Sequence, residues 1–176
     1  MKILVACEYS GIVRDAFASK GHDAWSCDIL PTESPGKHLQ GDVLNYLNDD
    51  WDMMIAHPPC TYISNAGARH LYPKGILNEA INKIALENPV SIISSKIRKP
   101  DQIVQPYFFG DTFTKTTCLW LKNLPKLKIS NFVDKGEFVI HGGKKIAKWY
   151  SNRERNRDKT FPGMAKAMAD QWGTDG

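Results

Sequence analysis

Lys2 to Ala6 is a β-branched, apolar run that closes on Cys7-Glu8-Tyr9-Ser10-Gly11, after which Ile12, Val13, Ala16 and Phe17 return at helical spacing. The pattern predicts strand, loop and helix. Gly21 ends that helix, and His22 to Asp28 resumes as a second strand with Ala24, Ser26 and Asp28 on one face. Pro31, Ser34, Pro35 and Gly36 mark a loop leading to Gly41-Asp42-Val43-Leu44, where Asp42 is placed to cap a short helix bearing Leu44 and Leu47. A third strand, Asp52 to His57, stops at Pro58-Pro59, and a fourth, Lys83 to Glu87, stops at Asn88-Pro89. Thr116 to Leu121 reads as another strand and Phe138 to His141 as a weaker one before Gly142-Gly143. Pro162 to Trp172 is a helix with proline at its start and Met164, Ala165, Met168 and Trp172 on one stripe.

Strands alternating with helices predict an α/β fold with a doubly wound, mostly parallel sheet, whose ligands bind at the carboxyl ends of the strands. Cys7, Asp28, Cys60 and Glu87 each follow a predicted strand, so one crevice can contain them all. The length of 176 residues predicts one domain, residues 1–176. The charge is +4, from 23 Lys and Arg against 19 Asp and Glu. That modest value does not establish nucleic-acid binding. The apolar runs Ile3 to Cys7 and Met53 to Ala56 fall far short of the ~18 residues of a membrane helix, so no membrane partner is expected. The first strand meets Glu8 where a signal peptide would continue apolar. Export is not expected, and Cys7, Cys27, Cys60 and Cys118, with no C-x-x-C spacing, read as reduced thiols of a cytoplasmic protein. The five histidines show no ligand spacing with them, so no metal is expected.

The strongest local signal is His57-Pro58-Pro59-Cys60-Thr61, where two prolines stiffen a turn that carries one thiol. Alone, Cys60 is as well read as a small buried side chain in a proline turn. Glu87 alone is as well read as a cap or a surface charge. Together they make a nucleophile and a general acid at the ends of neighbouring strands.

Pro58-Pro59-Cys60 and Glu87-Asn88-Pro89 resemble, in the same order, the Pro-Pro-Cys and Glu-Asn-Val motifs of the cytosine C5 DNA methyltransferases. The resemblance extends to the Gly-bearing loop Glu8 to Gly11, the acid Asp28 and the pair Gly41-Asp42. The segments Cys-Glu-Tyr-Ser-Gly, His-Pro-Pro-Cys-Thr-Tyr, Leu-Glu-Asn-Pro, Thr-Cys-Leu-Trp-Leu and Phe-Pro-Gly-Met-Ala-Lys-Ala-Met are similar to short stand-alone methyltransferase-like proteins of bacteriophages and prophages. A phage origin would place the protein in a bacterial cytoplasm.

The resemblance implies a Rossmann-like methyltransferase fold that binds S-adenosylmethionine. Glu8, Ser10 and Gly11 would approach the methionine part, Asp28 the ribose hydroxyls and Asp42 the adenine amino group, with Pro58 also against the cofactor. Cys60 would attack C6 of a cytosine in DNA, and Glu87 would protonate or hydrogen-bond N3, with Asn88 beside the base. The family's Gln-x-Arg-x-Arg segment corresponds to Phe113-Thr114-Lys115-Thr116-Thr117, so Lys115 alone keeps a cation for the base; it reads equally as a solvated strand-edge lysine.

The 27 positions from Cys60 to Glu87 must hold a catalytic loop and a crossover helix, which is feasible but cramped. The sequence is also abrupt near Glu79 and near Asn152. Residues 124–159 stand where the family carries a large target-recognition domain; lysines and arginines there interleave with Phe132, Phe138, Trp149 and Tyr150, a pairing suited to phosphates and bases. Within it, Arg153 to Lys159 reads as a solvated loop or a phosphate contact. A free pyrimidine nucleotide or RNA is the alternative substrate, and a non-catalytic binding relative the alternative function. The absence of Gly-x-Gly-x-x-Gly speaks against a dinucleotide dehydrogenase.

Overall fold

A computed structural model describes residues 1–58, 80–90, 93–94, 98–148 and 159–174. Seven strands form one sheet: β1 (Lys2–Ala6), β2 (Asp23–Asp28), β3 (His38–Gln40), β4 (Met53–Ala56), β5 (Lys83–Pro89), β6 (Gln102–Val104) and β7 (Thr117–Lys122). Their order is β3-β2-β1-β4-β5-β7-β6. Pairings from β3 across to β5 are parallel, whereas β7 runs antiparallel to both β5 and β6. The fold is therefore an α/β fold with a mostly parallel sheet. The chain leaves β1 toward β2 and β3, then crosses back to β4, so the direction of winding reverses between β1 and β4. At such a reversal the strand ends diverge and leave a crevice.

The inner strands read as continuous apolar runs because both faces of the sheet are covered. Along β1, Ile3 and Val5 enter one core cluster while Leu4 and Ala6 enter the other. Helix α1 (Ile12–Ala18) and helix α2 (Pro162–Trp172) pack together on the first face, where Val13, Phe17, Met164, Met168 and Trp172 are buried. Trp51, Ile81 and Trp120 belong to the second. Helix α2 has no cap from its own leading residue; Asp111 accepts instead from the Gly163 amide at 2.9 Å. That bond seats the residues before β7 against the start of α2.

Four elements depart from the sequence pattern. β3 lies within the expected Pro, Ser and Gly loop, and β6 within an unassigned polar stretch; each has three residues, too few for a period. β5 continues through Asn88 and Pro89, past the expected stop, because β7 pairs with it on that side. β8 (Phe138–His141) turns at Gly142-Gly143 into β9 (Lys144–Ala147), a separate two-stranded hairpin. Both glycines have positive φ, 55° and 76°, as a two-residue hairpin turn requires. β9 escapes the pattern because Lys144 and Lys145 are exposed.

Arg14, on α1, is buried. Its guanidinium donates to Ser26 Oγ (3.0 Å), Thr32 Oγ1 (3.2 Å) and the carbonyls of Ser34 (3.0 Å) and Pro35 (3.2 Å), and pairs with Asp15 at 2.8 Å. One side chain thus fixes the loop that follows Asp28. Gly11 precedes it with φ 77°, and a Cβ there would lie 2.4 Å from the Arg14 Nη2. Gly11→Ala is expected to destabilise the protein by about 1–2 kcal/mol, from the left-handed backbone and the displaced guanidinium. Thermal denaturation measures it, and a variant as stable as the wild type would refute the account.

Candidate active site

The carboxyl ends of β1, β2, β4 and β5 gather the expected residues. Cys7 ends β1 in the left-handed region, φ 58°, which is uncommon for a residue with a side chain. Burial, then the charges of Asp28, of a neighbouring Cys27 thiolate and of Asp42, push its thiol up to about 12. Cys7, Asp28 and Asp42 thus lie within electrostatic reach of one another. Asp28 Oδ1 accepts from the Leu30 amide at 2.9 Å, and Asp42 Oδ1 caps a single 3-10 turn, Val43–Asn45, by accepting from Leu44 N at 3.0 Å. Each acid uses one oxygen in its own turn. Ile29 and Leu30, directly after Asp28, are 73% and 49% exposed. They provide apolar surface beside a carboxylate.

Glu8 is buried, and its carboxylate accepts from Val13 N (2.7 Å), Arg14 N (3.2 Å) and Ser10 Oγ (3.3 Å). It thereby satisfies the first amides of α1 and sits at the positive end of that helix. A dinucleotide's pyrophosphate would need this same helix start. Cys7, Glu8, Tyr9, Ser10, His57, Lys159 and Thr160 line a small, partly open recess with room for about one water. Lys159 was expected in a solvated run, but only 18% of its side chain is exposed: its ammonium pairs with Glu33 at 2.5 Å and lies 5.6 Å from the centre of the Tyr9 ring. The ion pair and the aromatic face explain how a lysine is held there.

Glu87 stands near the end of β5, with its side chain only 8% exposed, and receives a hydrogen bond from His57 Nδ1 at 2.8 Å. Burial raises the carboxyl pKa, but the His57 hydrogen bond and charge, with the charge of Lys115, outweigh it and bring Glu87 below the ordinary glutamate value. Lys115 is therefore near the acid; its Nζ lies 5.7 Å from the centre of the Phe161 ring, which stacks on Phe113. Asn88, also buried, donates from Nδ2 to the Pro58 carbonyl at 2.8 Å. That bond ties β5 to the turn after β4, two residues before Cys60. Cys60 itself lies outside the described residues, as do Pro59, the segment up to Glu79 and residues 149–158.

The structure brings Glu8, Ser10 and His57 around one recess, Asp28 and Asp42 around Cys7, and Glu87, Lys115, Asn88 and Pro58 around the end of β5. The sequence reading missed His57, Lys159 and Thr160 as members of the site. A histidine next to Pro58-Pro59 was the one available signal, and it lacked a partner until β5 was placed beside β4.

Among the described residues no helix is long and apolar enough to cross a membrane. No protein-family model matches the chain, and no curated protein matches it by sequence. Among solved structures it is similar to a mutant of Spodoptera frugiperda DNMT2, with a TM-score of 0.52 over 76% of this chain and 13% sequence identity. The match covers 54% of that protein, so the chain spans about half its length. What the two share is the fold: the mostly parallel α/β sheet described above is similar to that of a DNMT2.

Proposed function

We propose that the protein is an S-adenosylmethionine-dependent methyltransferase with a Rossmann-like fold that methylates C5 of cytosine in DNA through a covalent bond to Cys60. One observation carries the reading: the buried acid Glu87 lies on a strand whose next residue, Asn88, bonds the carbonyl of Pro58, the first residue of the Pro58-Pro59-Cys60 motif. That bond supports a reading in which the two motifs act together. The fold shared with a DNMT2 supports the same reading.

Bound S-adenosylmethionine would supply a methyl group on a sulfonium. The residues present fit it: Asp28 and Asp42 each have a carboxylate oxygen beyond the one used in a turn, and Ile29 and Leu30 offer an apolar face to an adenine. Pro58 follows His57, a residue of the recess, and its carbonyl accepts from Asn88. On the substrate side, the Cys60 thiolate attacks C6 of the ring. Glu87, acting on N3, draws charge away from the ring so that C5 becomes enamine-like. Lys115 and Asn88 flank the acid and hold the base. In a duplex the cytosine must be flipped out to reach them. Lys135, Lys144 and Lys145 lie on or beside the exposed β8–β9 hairpin and provide the phosphate contact.

Methyl-labelled S-adenosylmethionine is expected to transfer label to unmethylated DNA, and nucleoside analysis to find it in 5-methylcytosine. Parallel reactions with RNA and with cytidine nucleotides locate the substrate class. Label only in those would move the substrate from DNA; cofactor binding without any transfer would leave a binding relative, and no binding would overturn the reading.

A further inference from the structure

We propose that Tyr107, Phe132 and Lys135 form a stacking site for an unpaired base, so that the protein takes its cytosine from single-stranded DNA. The inference rests on the methyltransferase reading and adds to it the form of the nucleic acid and the surface that receives it. Phe132 is 64% exposed, although two rings already lie against it. Phe108 is stacked on it, with 6.1 Å between centres and 23° between planes, and Tyr107 meets it edge-on at 5.5 Å. The Lys135 ammonium stands 5.5 Å from the centre of the Tyr107 ring. The backbone on either side of Phe132 is held in place. The Asn131 amide donates to the Phe108 carbonyl at 3.2 Å, and the Val133 amide to that of Tyr107 at 2.9 Å. Phe108 itself packs on the first core cluster, so the exposed ring stands on a fixed base.

The cluster is continuous with the candidate site. The Thr114 hydroxyl donates to the Lys135 carbonyl at 3.0 Å. Gly136, with φ 79°, passes so close to Thr112 that a Cβ on it would lie 2.1 Å from that residue's carbonyl oxygen. Lys135 is thereby joined to residues 112–115, and the charge of Lys115 reaches Glu87. A strand with its target base at Glu87 would run past this segment onto Lys135 and Phe132. The chemistry favours a nucleotide over an apolar partner. A protein surface packed on these rings would strip water from the Lys135 ammonium and leave it unpaired. A nucleotide meets both needs at once, its base lying on the Phe132 ring and its phosphate pairing with the ammonium. The acids beside Lys135 are turned to other partners: Asp134 accepts from the Gly136 amide at 2.8 Å, and Glu137 pairs with Lys148 at 2.5 Å. Stacking also needs an uncovered base face. In a duplex each face is covered by the neighbouring pair, whereas a single strand offers one at every nucleotide, so the rings select unpaired DNA.

The probe is a short unmethylated DNA strand with one cytosine and with 2-aminopurine at successive positions on either side of it, used alone and annealed to its complement. The wild type is expected to bind the single strand about tenfold more tightly than the duplex, and to quench 2-aminopurine where it stacks. Phe132→Leu keeps an apolar side chain but removes the ring. It should match the wild type by circular dichroism, yet bind the strand about tenfold more weakly and lose the quenching. Lys135→Gln should lower affinity and reduce the slope of log affinity against log salt by about 0.7. A duplex bound as tightly as the single strand, or a Phe132→Leu protein that binds and quenches like the wild type, would overturn the proposal. So would a dimer that Phe132→Leu dissociates with strand affinity unchanged, since the ring would then serve a second copy of the chain. Quenching lost in Phe132→Leu, in a protein that transfers no methyl group to any substrate, would uphold the stacking site and overturn the methyltransferase reading instead. Methyl transfer to duplex DNA with no preference for the single strand would do the reverse.

Discussion

Cys60→Ala is expected to unfold as cooperatively as the wild type and to bind S-adenosylmethionine equally well, yet to transfer methyl groups at least about 10⁴-fold more slowly. The magnitude follows from the substrate. Carbon 5 of cytosine is a poor nucleophile, and without a sulfur bond at C6 Glu87 cannot make it electron-rich. Removing the nucleophile therefore removes the benefit of the acid as well, and Glu87→Gln added to Cys60→Ala should cost little more. The three described cysteines are poor substitutes: burial, followed by nearby acids, raises Cys7 to about 12 and Cys27 to about 11, and burial raises Cys118. Each is a thiol at neutral pH, and the thiolate is the attacking form. Single-turnover assays with labelled cofactor measure the loss. An alanine variant within tenfold of the wild type would rule out the covalent route.

The second large effect is on stability. Replacing Arg14 by leucine should destabilise the fold by about 3 kcal/mol, since the leucine fills part of the space but removes a donor from the buried Ser26 Oγ, a second one from Thr32 Oγ1, and the partner of Asp15, at about 1 kcal/mol for each lost bond. The Ser34 and Pro35 carbonyls would lose their anchor too. Arg14→Lys should recover little, because a single ammonium cannot span four acceptors as the planar guanidinium does. Urea denaturation gives the difference in free energy. The same variant should weaken S-adenosylmethionine binding, as the loop it releases begins immediately after Asp28. A stability loss under 0.5 kcal/mol would show that Arg14 is dispensable to that loop.

These two expectations draw on different sources. Cys60 was legible as a residue between prolines with an acid to follow, and no coordinates were needed to single it out. Arg14 was not legible, because an arginine among Val13 and Phe17 reads as the polar side of a short amphipathic helix; its acceptors lie 12 to 21 positions away. Lys159 was misread for the same reason. Its partners Glu33 and Tyr9 come from the opposite end of the chain.

By itself the sequence determined the strands β1, β2, β4, β5 and β7 and the helices α1 and α2, because those segments bury faces whose period or apolar run length is local. It also determined the order of the chemical groups along the chain. Tertiary structure alone decided that β7 runs against its neighbours, that β3, β6 and β9 exist, and that Glu8 spends its carboxylate on the amides of α1. It decided above all that His57 meets Glu87 across 30 positions of sequence. Hydrogen bonds between groups far apart in the chain leave no period behind them, and only the folded sheet, by setting β4 beside β5, brings that acid and its hydrogen-bond partner within 2.8 Å.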